Sequence, residues 1–236
     1  ALRRLTFMER LVSAMAEMND SFNEVTAEML KVISDYDSVT GFQGAYNIRQ
    51  DSMCAGRKNS ENITIESKTD KPGINIRVKP GTKGETVYIP ACVTHSNVDD
   101  LVYNDFFIGE GAAVTIVAGC GVHSDGSETA RHNGIHRFFL EKGAKVLYKE
   151  KHIGTGKGTG LRRIDPVTDA YLKEDSYLEM DTVQLRGVDR TTRSTSAVLE
   201  KGAKIVVRER IMTDGDEDAV TKFKVELNGE DCGADG

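Results

Sequence analysis

The residue types with the greatest capacity for chemistry lie in one part of the chain, where a cysteine and three histidines follow the spacing C-x2-H-x8-H-x3-H. These residues are Cys120, His123, His132 and His136. Thiolate and imidazole are ligands that zinc and iron accept, so the set predicts a candidate metal site. The spacing is not that of a zinc finger, and residues four apart on a strand lie about 13 Å from each other, too far to share one ion without a bend. The alternative is a set of ordinary polar residues, with Cys120 as a small buried apolar group.

Cys120 follows an apolar run and is flanked by Gly119 and Gly121. The two glycines would let another backbone or a ligand approach closely. A thiol at this position acts as a nucleophile only where its pKa is lowered and a reagent can reach it.

Two other motifs have weaker chemical interpretations. The glycine-rich segment 152–160 contains a lysine but does not match a P-loop, and it is better explained as an exit loop. Asp181 and Asp189 suggest the acid chemistry of β-helix polysaccharide enzymes, although charged residues on the outer face of any solenoid give the same pattern. The polar, glycine-rich ranges 120–134 and 153–167 are predicted to be loops.

The elements that position these residues are short β-strands in a repeated unit. An apolar residue leads into a Gly-Ala corner and an alternating apolar run follows, most clearly in FLEKGAKVLYKE (139–150) and VLEKGAKIVVRE (198–209). The corners recur about every 30 residues, a period typical of solenoids. Stacked corners would bury a column that contains Ala112, Ala144 and Ala203. The sequence therefore predicts a mainly β fold, a parallel β-helix rather than a sandwich of hairpins.

The first part of the chain is predicted to be helical. Apolar residues recur at three- and four-residue steps over 2–18, and a second helix is predicted to carry Phe22 to Ile33. Ser21 and Glu24 form a possible capping box at its start. This gives two regions, an N-terminal helical segment at 1–40 and a β-helix core at 41–236.

Composition excludes several classes of function. Acidic residues exceed basic ones, giving a net charge of −6, and no basic stripe is present, which argues against a nucleic-acid partner. No apolar run approaches the roughly 20 residues that a membrane helix needs, so no membrane insertion is expected. The four cysteines form no CxxC pair, which predicts a cytoplasmic location.

Six collinear motifs closely resemble the SufB/SufD family of iron–sulfur cluster assembly proteins, in particular its shorter SufB-like members. They are GAYNIR (44–49), TVYIP (86–90), DLVYNDFFIGEGAAVTIVAGCGVHSDG (100–126), RHNGIHRF (131–138), KEKHIGTGKGTG (149–160) and VDRTTRST (188–195). The resemblance implies a right-handed parallel β-helix that serves as a scaffold for a transient iron–sulfur cluster. It also implies a SufC-type ABC ATPase partner, a SufB/SufD-like partner or second copy, and a sulfur donor. The chain itself would not be an enzyme, since ATP hydrolysis would reside in the partner.

The resemblance assigns roles to individual residues. Cys120 aligns with a cysteine that receives or relays sulfur, and His123, His132 and His136 are possible iron ligands. Further coils, a second family cysteine, an acidic residue and an ATPase-docking helical segment are expected beyond Gly236, and Cys232 is not that second cysteine. The alternatives to a scaffold are a purely structural SufD-like partner and the polysaccharide enzyme.

Overall fold

A computed structural model describes residues 22–36 and 40–236, which fold into one helix and sixteen strands. The elements are α1 (Glu24–Ile33), β1 (Ala45–Gln50), β2 (Met53–Lys58), β3 (Ile63–Ser67), β4 (Gly73–Val78), β5 (Lys83–Val93), β6 (Asp99–Ile108), β7 (Ala113–His123), β8 (Ala130–Leu140), β9 (Lys145–Thr155), β10 (Arg162–Ile164), β11 (Val167–Leu172), β12 (Tyr177–Gln184), β13 (Arg190–Leu199), β14 (Lys204–Ile211), β15 (Asp218–Leu227) and β16 (Gly233–Asp235).

The strands form two sheets that the chain visits alternately. One sheet has the order β16-β14-β12-β9-β7-β5-β1-β2, and the other has β10-β13-β11-β8-β6-β4-β3, with β15 added on β13. Neighbouring coils pair in parallel, and among the strands of the described residues only the hairpins β1–β2 and β3–β4 at one end are antiparallel. This confirms the predicted parallel β-helix, while its handedness stays a prediction.

The corners stack as the repeat predicts. The third residue of each corner has a left-handed φ: Gly81 (73°), Gly111 (63°), Gly143 (65°), Asp175 (57°) and Gly202 (66°). Its N–H donates to a carbonyl of the next corner, for example from Gly111 to Lys142 at 2.9 Å. Ala112, Ala144 and Ala203 are each fully buried, which confirms the predicted column.

The interior has an apolar region beside the corners and a polar region farther along the strands. Strand β8 shows how the sequence produces this, because every second side chain from Ala130 to Leu140 is buried. Isoleucine, valine and leucine side chains fill the space next to the corners, together with Phe106, Phe138 and Tyr148. Buried histidine, carboxylate and arginine side chains occupy the other part.

Helix α1 packs on the outer face of β7. Its buried residues Met29 and Ile33 lie over Gly121 and Gly119, where an added Cβ would overlap the Met29 sulfur or the Ile33 backbone. The N-cap is Asn23, whose side chain accepts from the Thr26 N–H, so the capping box predicted to start at Ser21 is wrong. The helix predicted over 2–18 lies outside the described residues. Within the described part of the chain, no helix has the length and apolar character that crossing a membrane requires.

The predicted loops are shorter than expected. β7 continues to His123 and β8 begins at Ala130, and β10 lies inside the second predicted loop. The glycine-rich turn is closely packed, since the Gly158 N–H donates to Ser124 O and the Gly160 N–H to Gly126 O, both at 2.9 Å. These glycines therefore allow two turns to stack, and their presence does not mark a break in the coil.

Candidate functional site

The backbone alternation of β7 decides where Cys120 lies. Gly119 and Gly121 face outward beneath α1, and Cys120 between them faces the interior, where it is 5% exposed. The close approach that the two glycines predict is therefore made by the helix, and the thiol points to the opposite side.

The coil register brings Cys120 beside two residues of β9. Cys120 pairs with His152 on the neighbouring strand, and Glu150, two residues earlier, faces the same side. One ligand atom from each of Cys120, Glu150 and His152 lies within 4.8 Å of the others, and all three residues are buried. Thiolate, carboxylate and imidazole together are a donor set that iron or zinc accepts, so these residues could hold a metal ion.

Glu150 is the anionic centre of this group. Its carboxylate accepts from Arg193 at 2.8 Å and from the Tyr148 hydroxyl at 2.9 Å. Burial opposes ionisation of Glu150, but the adjacent His152 and Arg193 outweigh it and hold its pKa well below the usual range. Arg193 also lies 3.2 Å from Glu209, so two carboxylates share one guanidinium. The carboxylate is thus ionised.

His152 has one ring nitrogen engaged and one unsatisfied. Its Nδ1 lies 3.2 Å from Arg193 Nη2, and because arginine can only donate, Nδ1 accepts and the ring is neutral. Burial lowers the pKa of His152, in agreement with a neutral ring. Nε2 lies 3.3 Å from a Glu150 oxygen but makes no hydrogen bond to any described residue. A metal ion at Nε2 would require the proton to move to Nδ1 and Arg193 to release that atom.

The Cys120 thiol is not prepared for nucleophilic attack in this state. Burial, followed by the negative charge of Glu150, raises its pKa well above the usual value. The thiol is therefore protonated at neutral pH. A bound cation would reverse this, since a coordinating thiol is deprotonated.

His132 and His136 also face the interior, and their side chains converge. Their Nε2 atoms lie 3.4 and 2.6 Å from the position that a Cβ on Gly134 would occupy. Backbone spacing alone keeps residues four apart on a strand from sharing an ion, but the missing side chain at Gly134 gives both rings the space to lean together.

The surroundings of these two rings differ. His132 Nδ1 lies 3.0 Å from Asp100, which also holds Arg49 in a two-point ion pair. His136 stacks on Phe106, and its Nδ1 has no partner among the described residues. Burial lowers the pKa of His136 to about 4, so this ring is neutral at physiological pH.

His123 does not join the other predicted ligands. It lies on the outer face of β7, and its Nδ1 is 2.9 Å from the Thr155 hydroxyl. The side chain borders a groove next to α1. The structure therefore brings Cys120, His132 and His136 to the interior and leaves His123 outside it.

A cavity of about 230 Å³ reaches this interior from the hairpin end of the solenoid. Its lining includes the exposed Met53 and Cys54 at one end and the buried Cys120, His132 and His136 at the other. A cavity of this size holds several water molecules or a small ligand. A small molecule in this cavity would lie against Cys120.

The remaining predicted residues are engaged in ordinary contacts. Asp181 pairs with Arg210, and Asp189 accepts from Arg162 Nε at 2.8 Å. Cys92 is buried in the cluster beneath α1, and the Cys232 thiol contacts Gly229 O in the last corner.

Glu150, His152 and Arg193 are site residues that single-sequence reasoning missed. The repeat contained a signal for Glu150 and His152, because the residue one coil after Cys120 is His152 and Glu150 lies two residues before it on the same strand. Arg193 comes from the opposite sheet, and no spacing within one strand predicts it.

Comparison with known proteins adds one relative. No protein-family model matches the chain. Over 89 residues it is 32% identical to a curated protein of Methanothermobacter thermautotrophicus (strain Winter), which is named as an iron-sulfur cluster assembly SufBD family protein. The match covers 37% of this chain and 21% of the relative, so the chain spans about a fifth of that protein's length. The similarity is thus to a SufBD family protein, and it does not separate SufB-like from SufD-like proteins.

Proposed function

We propose that this chain is a scaffold subunit of an iron–sulfur cluster assembly complex. The observation that carries the proposal is the convergence of Cys120, Glu150 and His152 within 4.8 Å inside a β-solenoid. The similarity to a SufBD family protein supports the same function. Iron, sulfide equivalents and the nascent cluster are the substrates and cargo, and the interior side chains are their ligands.

In this proposal Cys120 accepts or relays sulfur, and His132 and His136 are further candidate ligands that face the same cavity. The ionised Glu150 supplies a further donor, and so does His152 Nε2 once its proton has moved to Nδ1. The chain has no catalytic turnover of its own. ATP hydrolysis belongs to a SufC-type ABC ATPase, and a SufB/SufD-like partner or a second copy completes a cytoplasmic complex with a sulfur donor.

Anaerobic reconstitution with ferrous iron and sulfide tests the proposal. The wild-type chain should hold oxygen-sensitive iron and acid-labile sulfide, and Cys120→Ser and His152→Ala should each lower both. Cys232→Ser is the matched control, because that thiol lies in a corner outside the interior group. Equal iron and sulfide in all four proteins would remove Cys120 and His152 from the proposed function.

A purely structural SufD-like partner is the second candidate. It is favoured by the raised pKa of Cys120, which leaves the thiol protonated in this state. Stable pairing with another β-solenoid subunit, together with no bound iron in any reconstitution, would select this role over the scaffold.

A further inference from the structure

The cavity that leads to Cys120 has an unusual charge distribution. Four basic side chains line it, Arg49, Arg57, Lys68 and Lys71, and no Asp or Glu of the described residues does. The chain as a whole carries a net charge of −6, so this surface differs in sign from the rest of the protein. A concave surface with one sign of charge attracts ions of the opposite sign.

Two of the four basic groups are already neutralised by carboxylates behind the lining. Arg49 donates to Asp100 at 2.6 to 3.0 Å, and Lys68 lies 2.5 Å from Asp105. In these two ion pairs the charges largely cancel, so Arg49 and Lys68 contribute little to the electrostatic field in the cavity.

Arg57 and Lys71 are the other two, and they retain their charge. Arg57 donates to neutral acceptors, Asn47 at 2.8 Å and Ser67 at 3.0 Å, and no carboxylate of the described chain lies within 4.0 Å of it. The Lys71 ammonium lies 4.0 Å from Asp70, which is 68% exposed, and 4.4 Å from the centre of the Tyr103 ring. Such an exposed pair is weak, so both cations can take a further anionic partner.

The deep part of the cavity contains polar atoms without partners. Asn104 and His136 line the cavity, and their buried atoms Asn104 Oδ1 and His136 Nδ1 make no hydrogen bond to any described residue. Buried polar atoms of this kind normally bind water or a ligand. Two thiols face the same space, Cys54 at the exposed end and Cys120 at the buried end.

We infer that this cavity binds a small sulfur-containing anion, with Arg57 and Lys71 as its cationic contacts. The inference rests on the proposed function, since it names the chemical form in which sulfur approaches Cys120. Ile74, Ile89 and Val102 provide apolar walls between the two ends. A weakly hydrated sulfur atom is less costly to place against such walls than a fully hydrated oxyanion. The same positive field opposes the approach of a ferrous ion.

The alkylation rate of the Cys54 thiol can be used to measure the positive field in the cavity. Its thiol and the Arg57 guanidinium share one acceptor, Asn47 Oδ1, at 3.5 and 2.8 Å. Iodoacetate and iodoacetamide alkylate thiols by the same reaction and differ in charge. We would measure both rates at Cys54 by peptide mass spectrometry on the whole chain, with Cys232 in the same sample as the reference thiol. The iodoacetate-to-iodoacetamide ratio should be higher at Cys54 than at Cys232.

Charge-removing variants test whether Arg57 and Lys71 cause the higher iodoacetate-to-iodoacetamide ratio at Cys54. Arg57→Gln and Lys71→Gln should each lower the ratio at Cys54 by roughly threefold or more at low salt. Arg57→Lys should keep it. Lys142→Gln removes the same charge from an exposed pair outside the cavity and should change nothing. An equal ratio in wild type, Arg57→Gln and Lys71→Gln would overturn the anion site.

Thiosulfate and sulfate test the sulfur preference, because they have the same charge and shape and differ in one atom. Because thiosulfate itself consumes iodoacetamide, labelling of Cys54 is measured relative to Cys232 in the same sample. Thiosulfate should lower this Cys54-to-Cys232 labelling ratio at lower concentrations than sulfate does, in an Arg57-dependent manner. Equal protection by the two anions would overturn the assignment of a sulfur ligand.

The two proposals can fail separately. A chain that binds iron and sulfide through Cys120 but shows no anion preference at Cys54 overturns the anion site alone. A chain that shows the preference but holds no Cys120-dependent cluster keeps the anion site and overturns the scaffold.

Discussion

The Arg193 guanidinium lies 2.8 Å from the Glu150 carboxylate inside the solenoid, and neither side chain is more than 3% exposed. The two residues come from opposite sheets, β13 and β9, so their ion pair crosses the interior. The pair holds the Glu150 carboxylate beside Cys120 and His152, the two other members of the buried group of possible metal ligands. It therefore contributes both to the fold and to the candidate site.

Arg193→Met should be strongly destabilising because it leaves Glu150 buried without its main partner. We expect a loss of about 3 to 5 kcal/mol in the free energy of unfolding, measured by urea denaturation. Glu150→Gln combined with Arg193→Met should recover part of that loss, since the fully buried carboxylate is then neutral and only Glu209, which is 15% exposed, loses its ion-pair partner. Lys142→Met, which breaks the exposed pair with Glu174, should cost less than about 1 kcal/mol. A double variant no more stable than Arg193→Met would contradict this account.

The cysteines should react with a neutral alkylating reagent in the order of their exposure and pKa. Cys54 is exposed and should be modified first. Cys92 and Cys120 are buried, and burial raises the pKa of Cys92 to about 12 and that of Cys120 well above its usual value. Both should stay unmodified in the folded chain at pH 8 and react only after unfolding in denaturant. Iodoacetamide labelling with mass spectrometry checks the order, and fast labelling of Cys120 in the folded chain would rule out the buried thiol described here.

The sequence predicted the coil far better than it predicted the site. Corners such as Gly111 and Gly143 are local features, repeated in each coil, and local repetition can be recognised in a single chain. The position of Cys120 relative to His152 follows from the same repeat, once the coil length is known. The role of Gly134 and the approach of Arg193 depend on side-chain packing across the interior, which no periodicity encodes.

Gly119 should not accept a side chain. A Cβ at this position would overlap the carbonyl oxygen of Ile33 and lie 2.7 Å from its Cβ, so α1 would have to move away from β7. We expect Gly119→Val to lower the free energy of unfolding by about 1 to 3 kcal/mol and to raise the protease sensitivity of α1. Gly233→Ala is the control, because nothing lies within 4 Å of its added Cβ. Equal stabilities for the two variants would mean that α1 does not pack on Gly119 as described.

Protonation of His136 should destabilise the fold at mildly acidic pH. Burial lowers its pKa from 6.5 to about 4, so below pH 6.5 the unfolded chain binds a proton that the folded chain does not. The contribution of the neutral His136 ring to the free energy of unfolding is therefore complete above pH 6.5 and is lost as the pH falls toward 4. The shift corresponds to roughly 3 kcal/mol.

We would measure urea unfolding from pH 7.5 to 4 for wild type and His136→Gln. Between pH 7.5 and 4, the free energy of unfolding should fall by about 3 kcal/mol more in wild type than in His136→Gln. Carboxylate titrations are common to both proteins and cancel in this difference. Parallel pH dependences of the free energy of unfolding for wild type and His136→Gln would mean that the ring is protonated as readily in the folded chain as in the unfolded one. That result would contradict the burial of the ring against Phe106.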